Sequence, residues 1–211
     1  ASGEQTSADT ELASAFAVGT GVRIVNTEKM YTQGSLLNTD NALDLAIDGS
    51  GFFQVLLPDG QVGYTRNGAF SRSAEGTLVT SSGYVVQPEI AIPEGVTEIN
   101  VSPDGIVSVQ VAGAVGAEEV GQLTLSNFAN PAGLQPIGES FLVETDASGA
   151  AIEGNPFGEG FGKLIQGSLE SSNVNVVQEL VDMIETQRAY EVSSKSITAV
   201  DEMKRYISNN L

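Results

Sequence analysis

Cysteine, histidine and tryptophan are all missing from this chain of 211 residues. Without cysteine there is no disulfide scaffold and no thiolate metal site, although the compartment stays open, because secreted proteins also do without the residue. Without histidine or cysteine the usual pairings of nucleophile and base cannot be built. Basic residues are scarce, nine against 27 acids, for a formal charge of −18. An acidic surface of that strength repels nucleic acid and anionic lipid, so neither is expected as a partner. No apolar run approaches the roughly 18 residues that mark a membrane-spanning helix. The opening Ala1-Ser2-Gly3-Glu4 has neither an initiator Met nor the basic and apolar regions of a secretory signal, which leads us to expect that something upstream has been removed.

What is present sorts into three segments. Residues 1–20 are small and polar, with a short apolar patch at Leu12 to Val18, and read as an extended arm. Residues 21–172 carry strand patterns separated by legible turns. Val22–Val25 is β-rich, and Leu43, Leu45 and Ile47 alternate with Asp44, Ala46 and Asp48 as in a half-buried strand. Pro58-Asp59-Gly60 links Phe52–Leu57 to Val62–Thr65, Asn67-Gly68 is a hairpin signal before Ala69–Arg72, and Ser81-Ser82-Gly83 separates Leu78–Thr80 from Tyr84–Gln87. Pro103-Asp104-Gly105 precedes Ile106–Val111; Val120–Phe128, Phe141–Thr145 and Leu164–Leu169 follow, with a Gly-rich loop expected over 147–162. The expected fold is mainly β: an antiparallel all-β body of about ten short strands, then one long C-terminal helix.

That helix occupies 173–211. Asn175 is a good N-cap and Gln178 stands where a capping box wants Glu or Gln. Neither Gly nor Pro interrupts the chain from Val176 to Ser208, which at 1.5 Å per residue is roughly 50 Å of rod, against a body about 40 Å across. Val176, Leu180, Met183, Gln187, Tyr190, Ser194 and Ile197 follow alternating spacings of four and three, a coiled-coil-like seam. Val177, Val181 and Ile184 widen it, and Val200, Met203 and Ile207 carry apolar character to the end. The stripe lies either on the chain's own β body or against other helices, most of them outside this chain; the second packing is preferred. From Val174 onward six acids face four bases, so the helix is almost neutral while the rest carries −16, and a neutral rod can enter a crowded bundle.

Other sites are set aside. Gly158 to Lys163 has the glycines of a phosphate loop, yet Phe157 stands where its first Gly belongs and Leu164 follows the Lys. Asn38, Asp40, Asn41 and Asp44 cluster, as do Asp146 and Glu153, but neither group follows the EF-hand order and turn formation explains them. No catalytic, cofactor-binding or metal-ligating residue is proposed.

The block Gln166-Gly167-Ser168-Leu169-Glu170-Ser171-Ser172-Asn173-Val174-Asn175, continued by Glu179 to Ile184 and Gln187-Arg188-Ala189-Tyr190-Glu191, resembles the C-terminal signature of bacterial flagellar rod and hook proteins. Asp48 to Val55, Tyr64 to Phe70 and Gly76 to Thr80 resemble that family's β region. Gln87 to Pro93, Val120 to Leu123 and Gly133 to Glu139 are most similar to its distal rod branch. The resemblance implies a non-enzymatic structural subunit that polymerises helically into a rigid driveshaft carrying torque to the hook. Hook and proximal rod subunits are the nearest alternatives; a secreted β-rich carbohydrate-binding or hydrolytic module is the alternative of another class. It also implies homo-oligomerisation, contacts with other rod and hook subunits and with surrounding rings, a place in the periplasmic basal body, and export without a cleavable signal. The family's N-terminal helix, which pairs with the C-terminal one, has no counterpart here. Asn173, Asn175, Gln187 and Arg188 belong to the signature, and the apolar positions from Val176 to Ile207 are the expected assembly surface.

Overall fold

The computed structural model describes residues 5–7, 10, 11, 23, 29–113 and 116–209. The chain divides into two units, Ala1–Met30 and Tyr31–Leu211. In the first, β1 (Gln5–Ser7) and β2 (Thr10–Glu11) pair antiparallel; the remainder of the expected arm over 1–20, and the Val22–Val25 strand apart from Arg23, lie outside the described residues.

The second unit contains β3 (Leu36–Asn38), β4 (Leu45–Asp48), β5 (Phe52–Leu56), β6 (Val62–Thr65), β7 (Phe70–Arg72), β8 (Leu78–Thr80), β9 (Val85–Gln87), β10 (Val96–Val101), β11 (Ile106–Val111) and β12 (Glu118–Gln122). It continues through β13 (Leu125–Asn127), β14 (Gln135–Gly138), β15 (Phe141–Val143), β16 (Ile152–Gly154), β17 (Lys163–Gln166) and β18 (Ser168–Glu170) to α1 (Val176–Asn209). The architecture is mainly β with a single helix, as expected, although the strands are shorter and more numerous. Leu164–Leu169 is cut in two by Gly167, which has φ +71°, a conformation that suits glycine. Val120–Phe128 is cut because its two ends join different sheets, β12 pairing with β11 and β13 with β5 and β16.

The main sheet runs β14-β15-β6-β5-β9-β8-β7, with β13 beside the start of β5 and β16 beyond it. β5 is its centre: Phe53, Val55 and Gln54 are all buried, and the Gln54 amide donates to Ser126 Oγ at 2.6 Å, so the one polar side chain there is satisfied. Phe53 meets Phe70 edge-on with centroids 5.0 Å apart, and Tyr64 meets Phe128 at 4.8 Å, the arrangement aromatic quadrupoles favour.

Two sequence readings are corrected. Asn67-Gly68 does not close a hairpin: β6 pairs with β5 and β15, and β7 with β8. Instead the backbone crosses β4 there, Leu45 N donating to Gly68 O at 3.0 Å. A Cβ on Gly68 would lie 1.6 Å from Leu45 O, so close approach, not turn type, requires glycine. The alternation expected along Leu43–Asp48 is also absent, since Leu45, Ala46 and Ile47 are all fully buried. β17 pairs with β4 from Lys163↔Asp48 to Gln166↔Leu45, and both faces of the strand are covered.

β10, β11 and β12 form a separate antiparallel sheet. The chain enters it after Ile92 and leaves it before Leu123, both buried in the main core. Gly121 stands against Ile90, where an added Cβ would meet that side chain at 3.1 Å; the chain enters at Val96, opposite Val111, and leaves at Gln122, opposite Ile106, at the other end of β11. Gln166 bolts the sheet down, its Oε1 accepting from Val101 N at 3.1 Å and its Nε2 donating to Ile99 O at 2.8 Å.

Candidate assembly interface and its neck

β3 and β18 pair antiparallel, Ser168↔Asn38, Leu169↔Leu37 and Glu170↔Leu36, and form the neck from which α1 emerges. The pairing is extended at both ends by Thr39 N to Gly167 O and Ser171 N to Ser35 O, each 2.8 Å. Asn173 caps it, Nδ2 donating to Thr32 O at 2.9 Å and Oγ1 at 3.0 Å. The strands approach so closely at Gly34 that a Cβ there would sit 1.8 Å from Ser171 O.

One ion pair ties the neck to the sheet. Arg66 Nε donates to Glu170 Oε2 at 2.8 Å, with side chains 21% and 11% exposed. The other Glu170 oxygen accepts from Gly34 N at 2.9 Å. Arg66 spends its remaining donors on main-chain carbonyls, Nη1 on Gly49 O at 3.1 Å and Gly51 O at 2.9 Å, and Nη2 on Ile47 O at 3.3 Å. Its guanidinium also lies 5.9 Å from the Phe52 ring centroid. A planar fork can make all these contacts at once; an ammonium could not. Sequence reading missed this clasp because its members are 104 residues apart. The available signal was that Arg66 is one of only five bases before Val174 in a strongly acidic segment.

Nearby Tyr31 packs edge-on against Phe52, and burial raises its phenol pKa. The Tyr64 phenol is raised as well, chiefly by burial and then by the charges of Glu144 and Glu153. The Asn38–Asp44 cluster is occupied by its own turn: Asp44 accepts from Thr39 Oγ1 at 2.6 Å and from Asn41 Nδ2 at 3.0 Å, and Asn38 Nδ2 donates to Asp40 at 3.2 Å. Among the described residues no group of three or more acids is placed to hold a metal ion.

The helix starts where expected. Asn175 Oδ1 accepts from Val177 N at 3.1 Å and Gln178 N at 3.3 Å, an N-cap satisfying two orphan amides. Gln178 turns forward, its amide donating to Asp182 at 2.9 Å, an i,i+4 contact within the helix. Every residue from Ser172 to Ile207 is exposed, Gln187 and Arg188 included. Leu180 is 51% exposed, Ile184 49%, Met203 60% and Tyr190 77%; Val176, Val177, Val181, Met183, Ile197, Val200 and Ile207 are likewise exposed. The body of the described chain does not cover the stripe. Isolated surface apolar residues are ordinary, but this many exposed along 34 residues of helix mark an interaction surface. Among the described residues no helix is long and apolar enough to cross a membrane.

These features define a β body joined by a clasped neck to an uncovered amphipathic helix. Residues 46–109 match the family described as the flagellar hook protein FlgE/F/G D1 domain, and 165–211 match the C-terminal region of the flagellar basal body rod FlgEFG proteins. The chain is 52% identical over 206 residues to the flagellar basal-body rod protein FlgG of Buchnera aphidicola subsp. Acyrthosiphon pisum, covering 98% of this chain and 79% of that protein. It is 46% identical over 196 residues to the FlgG of Borreliella burgdorferi (92% and 74%) and 44% identical over 194 residues to that of Agrobacterium fabrum (92% and 74%). The chain belongs to the bacterial flagellar rod and hook family, and its similarity runs to the FlgG rod proteins.

Proposed function

We propose that this chain is a structural subunit of the flagellar basal body that assembles with copies of itself into the rigid distal rod, the shaft transmitting torque to the hook. It works without catalysis, in the periplasmic section of the flagellum, reaches it by flagellar export, and contacts neighbouring rod and hook subunits and the rings around the shaft. Residues 173–211 supply the inner layer of the tube and the β body an outer layer. The observation that carries this reading is the uncovered stripe of α1. Each aliphatic side chain it buries on assembly contributes about 1.5–3 kcal/mol, ample to drive a repeating, non-closing contact. The clasped neck suits the task, since torque passed between helix and body must cross two paired strands, not a single flexible linker.

The test is replacement of Leu180 or Ile184 by Asp, with electron microscopy of rods and circular dichroism of the purified protein. The expected result is loss of polymer with the β body still folded. Rods of normal length and number in the variant would refute the reading.

A further inference from the structure

Sulfur is rare in this chain and unevenly placed. With no cysteine, histidine or tryptophan present, the three methionines are the side chains most readily oxidised. Among the described residues none of them lies in the buried core, whose apolar members are aliphatic side chains, phenylalanine and tyrosine. Met30 is 76% exposed ahead of the neck, and Met183 and Met203 are 54% and 60% exposed on α1.

Both helical methionines sit among the uncovered apolar positions. Leu180 precedes Met183 by three residues and Tyr190 follows it by seven; Val200 precedes Met203 by three and Ile207 follows it by four. On a helix these spacings place each sulfur on one side with its apolar neighbours, and all four neighbours are exposed as well. A thioether suits a packing surface, being flexible, apolar and polarisable. A sulfoxide does not, because it is polar and its oxygen is an acceptor that an apolar contact leaves unsatisfied.

Resting on the self-association proposed above, we propose that Met183 and Met203 form a redox-sensitive modification site, at which a two-electron oxidant of the peroxide class disables assembly without unfolding the β body. A sulfur lone pair attacks one peroxide oxygen and the O–O bond breaks. The proton of the transferred hydroxyl passes to the departing hydroxide, which leaves as water. Sulfur loses two electrons and the peroxide gains them, giving one sulfoxide per hydrogen peroxide consumed. The chain has no cysteine, hence no thiol of its own to reverse the step; reversal takes a methionine sulfoxide reductase fed by an external dithiol. The site is open only in the unassembled subunit, since packing the stripe covers both sulfurs.

The test treats the whole chain with hydrogen peroxide and follows each methionine by mass spectrometry. The expected result is one added oxygen at Met30, Met183 and Met203, an unchanged urea midpoint, and association at least about tenfold weaker in sedimentation velocity. Met183→Leu with Met203→Leu keeps the apolar volume and should assemble as well after peroxide as before it, whereas Met30→Leu should stay as sensitive as the unmodified chain. Sulfoxide reductase with dithiothreitol should restore association, which reads the same point on the native sequence. Peroxide added after assembly should leave Met183 and Met203 unmodified. The site is overturned if the oxidised chain associates as tightly as the untreated one, if the double leucine variant loses association on oxidation, or if both sulfurs oxidise equally before and after assembly. A lowered urea midpoint, resistance conferred by Met30→Leu, or failure of the reductase to restore association would overturn it too; none of these results touches self-association. An untreated chain that stays monomeric at every concentration would overturn the self-association reading and this proposal with it.

Discussion

Glu170→Gln isolates the clasp, because the substituted side chain has the same shape and lacks only the charge and one acceptor. In the native neck both Glu170 oxygens accept, one from Arg66 Nε at 2.8 Å and one from Gly34 N at 2.9 Å. A glutamine amide offers one acceptor and one NH₂, so whichever way it turns, a donor meets a donor. Hydrogen bonds to charged groups contribute about 1.5–3 kcal/mol, and removing one member of a fully buried pair costs roughly 3–5 kcal/mol. The upper range does not apply, since Arg66 keeps three carbonyl acceptors and both side chains retain some solvent. The expected loss is therefore about 2 kcal/mol, equivalent to roughly 4–8 °C in Tm for a chain of this size. Urea unfolding followed by tyrosine fluorescence, the chain having no tryptophan, measures it directly. A loss below about 0.5 kcal/mol, the range of ordinary surface substitutions, would mean that the clasp stabilises nothing and that the neck is held by strand pairing alone.

Gly34→Ala should cost more than about 2 kcal/mol, because its Cβ cannot coexist with Ser171 O at 1.8 Å; faster amide exchange at Ser171 and Thr39, whose hydrogen bonds zip the neck, is the local signature. The β14–β15 turn places Glu139 at φ 51° and Ser140 at φ 67°, so Glu139→Asn with Ser140→Gly should raise stability by about 1 kcal/mol in a thermal melt. Tyr64 has a raised phenol pKa, chiefly from burial, so its contribution is complete below the unfolded value of about 10 and is lost as pH climbs through the higher folded value. Urea midpoints should therefore fall above about pH 10, and Tyr64→Phe should flatten that fall without abolishing it, because Tyr31 is shifted in the same direction.

The helix was the most legible element because its determinants are local: a capping Asn175, then no breaker through Asn209. The turns at Pro58-Asp59-Gly60 and Ser81-Ser82-Gly83 were legible for the same reason, closing tightly through Gly60 N to Leu57 O and Gly83 N to Thr80 O. Asn67-Gly68 misled because hairpin chemistry is local whereas the pairing of β6 and β7 is decided by distant strands. Val96–Val101 escaped notice because Glu98 and Asn100 interrupt its apolar pattern; it is an edge strand whose exposed positions tolerate polar residues. The exposed stripe was readable from spacing, but the clasp beneath it was not, since no pattern along the chain announces that Arg66 will meet Glu170.

The β10–β12 sheet packs Val101, Val107 and Val109 into the main core and is bolted by Gln166. Its β11–β12 turn is exposed at Ala112 and Gly113, so a change of length there leaves that shared core and the register of the main sheet alone. The turn at Gly113, where an added Cβ would meet nothing within 4 Å, is a natural port for a fluorophore or epitope tag. A label fixed there would report on the working assembly while leaving neck and helix untouched.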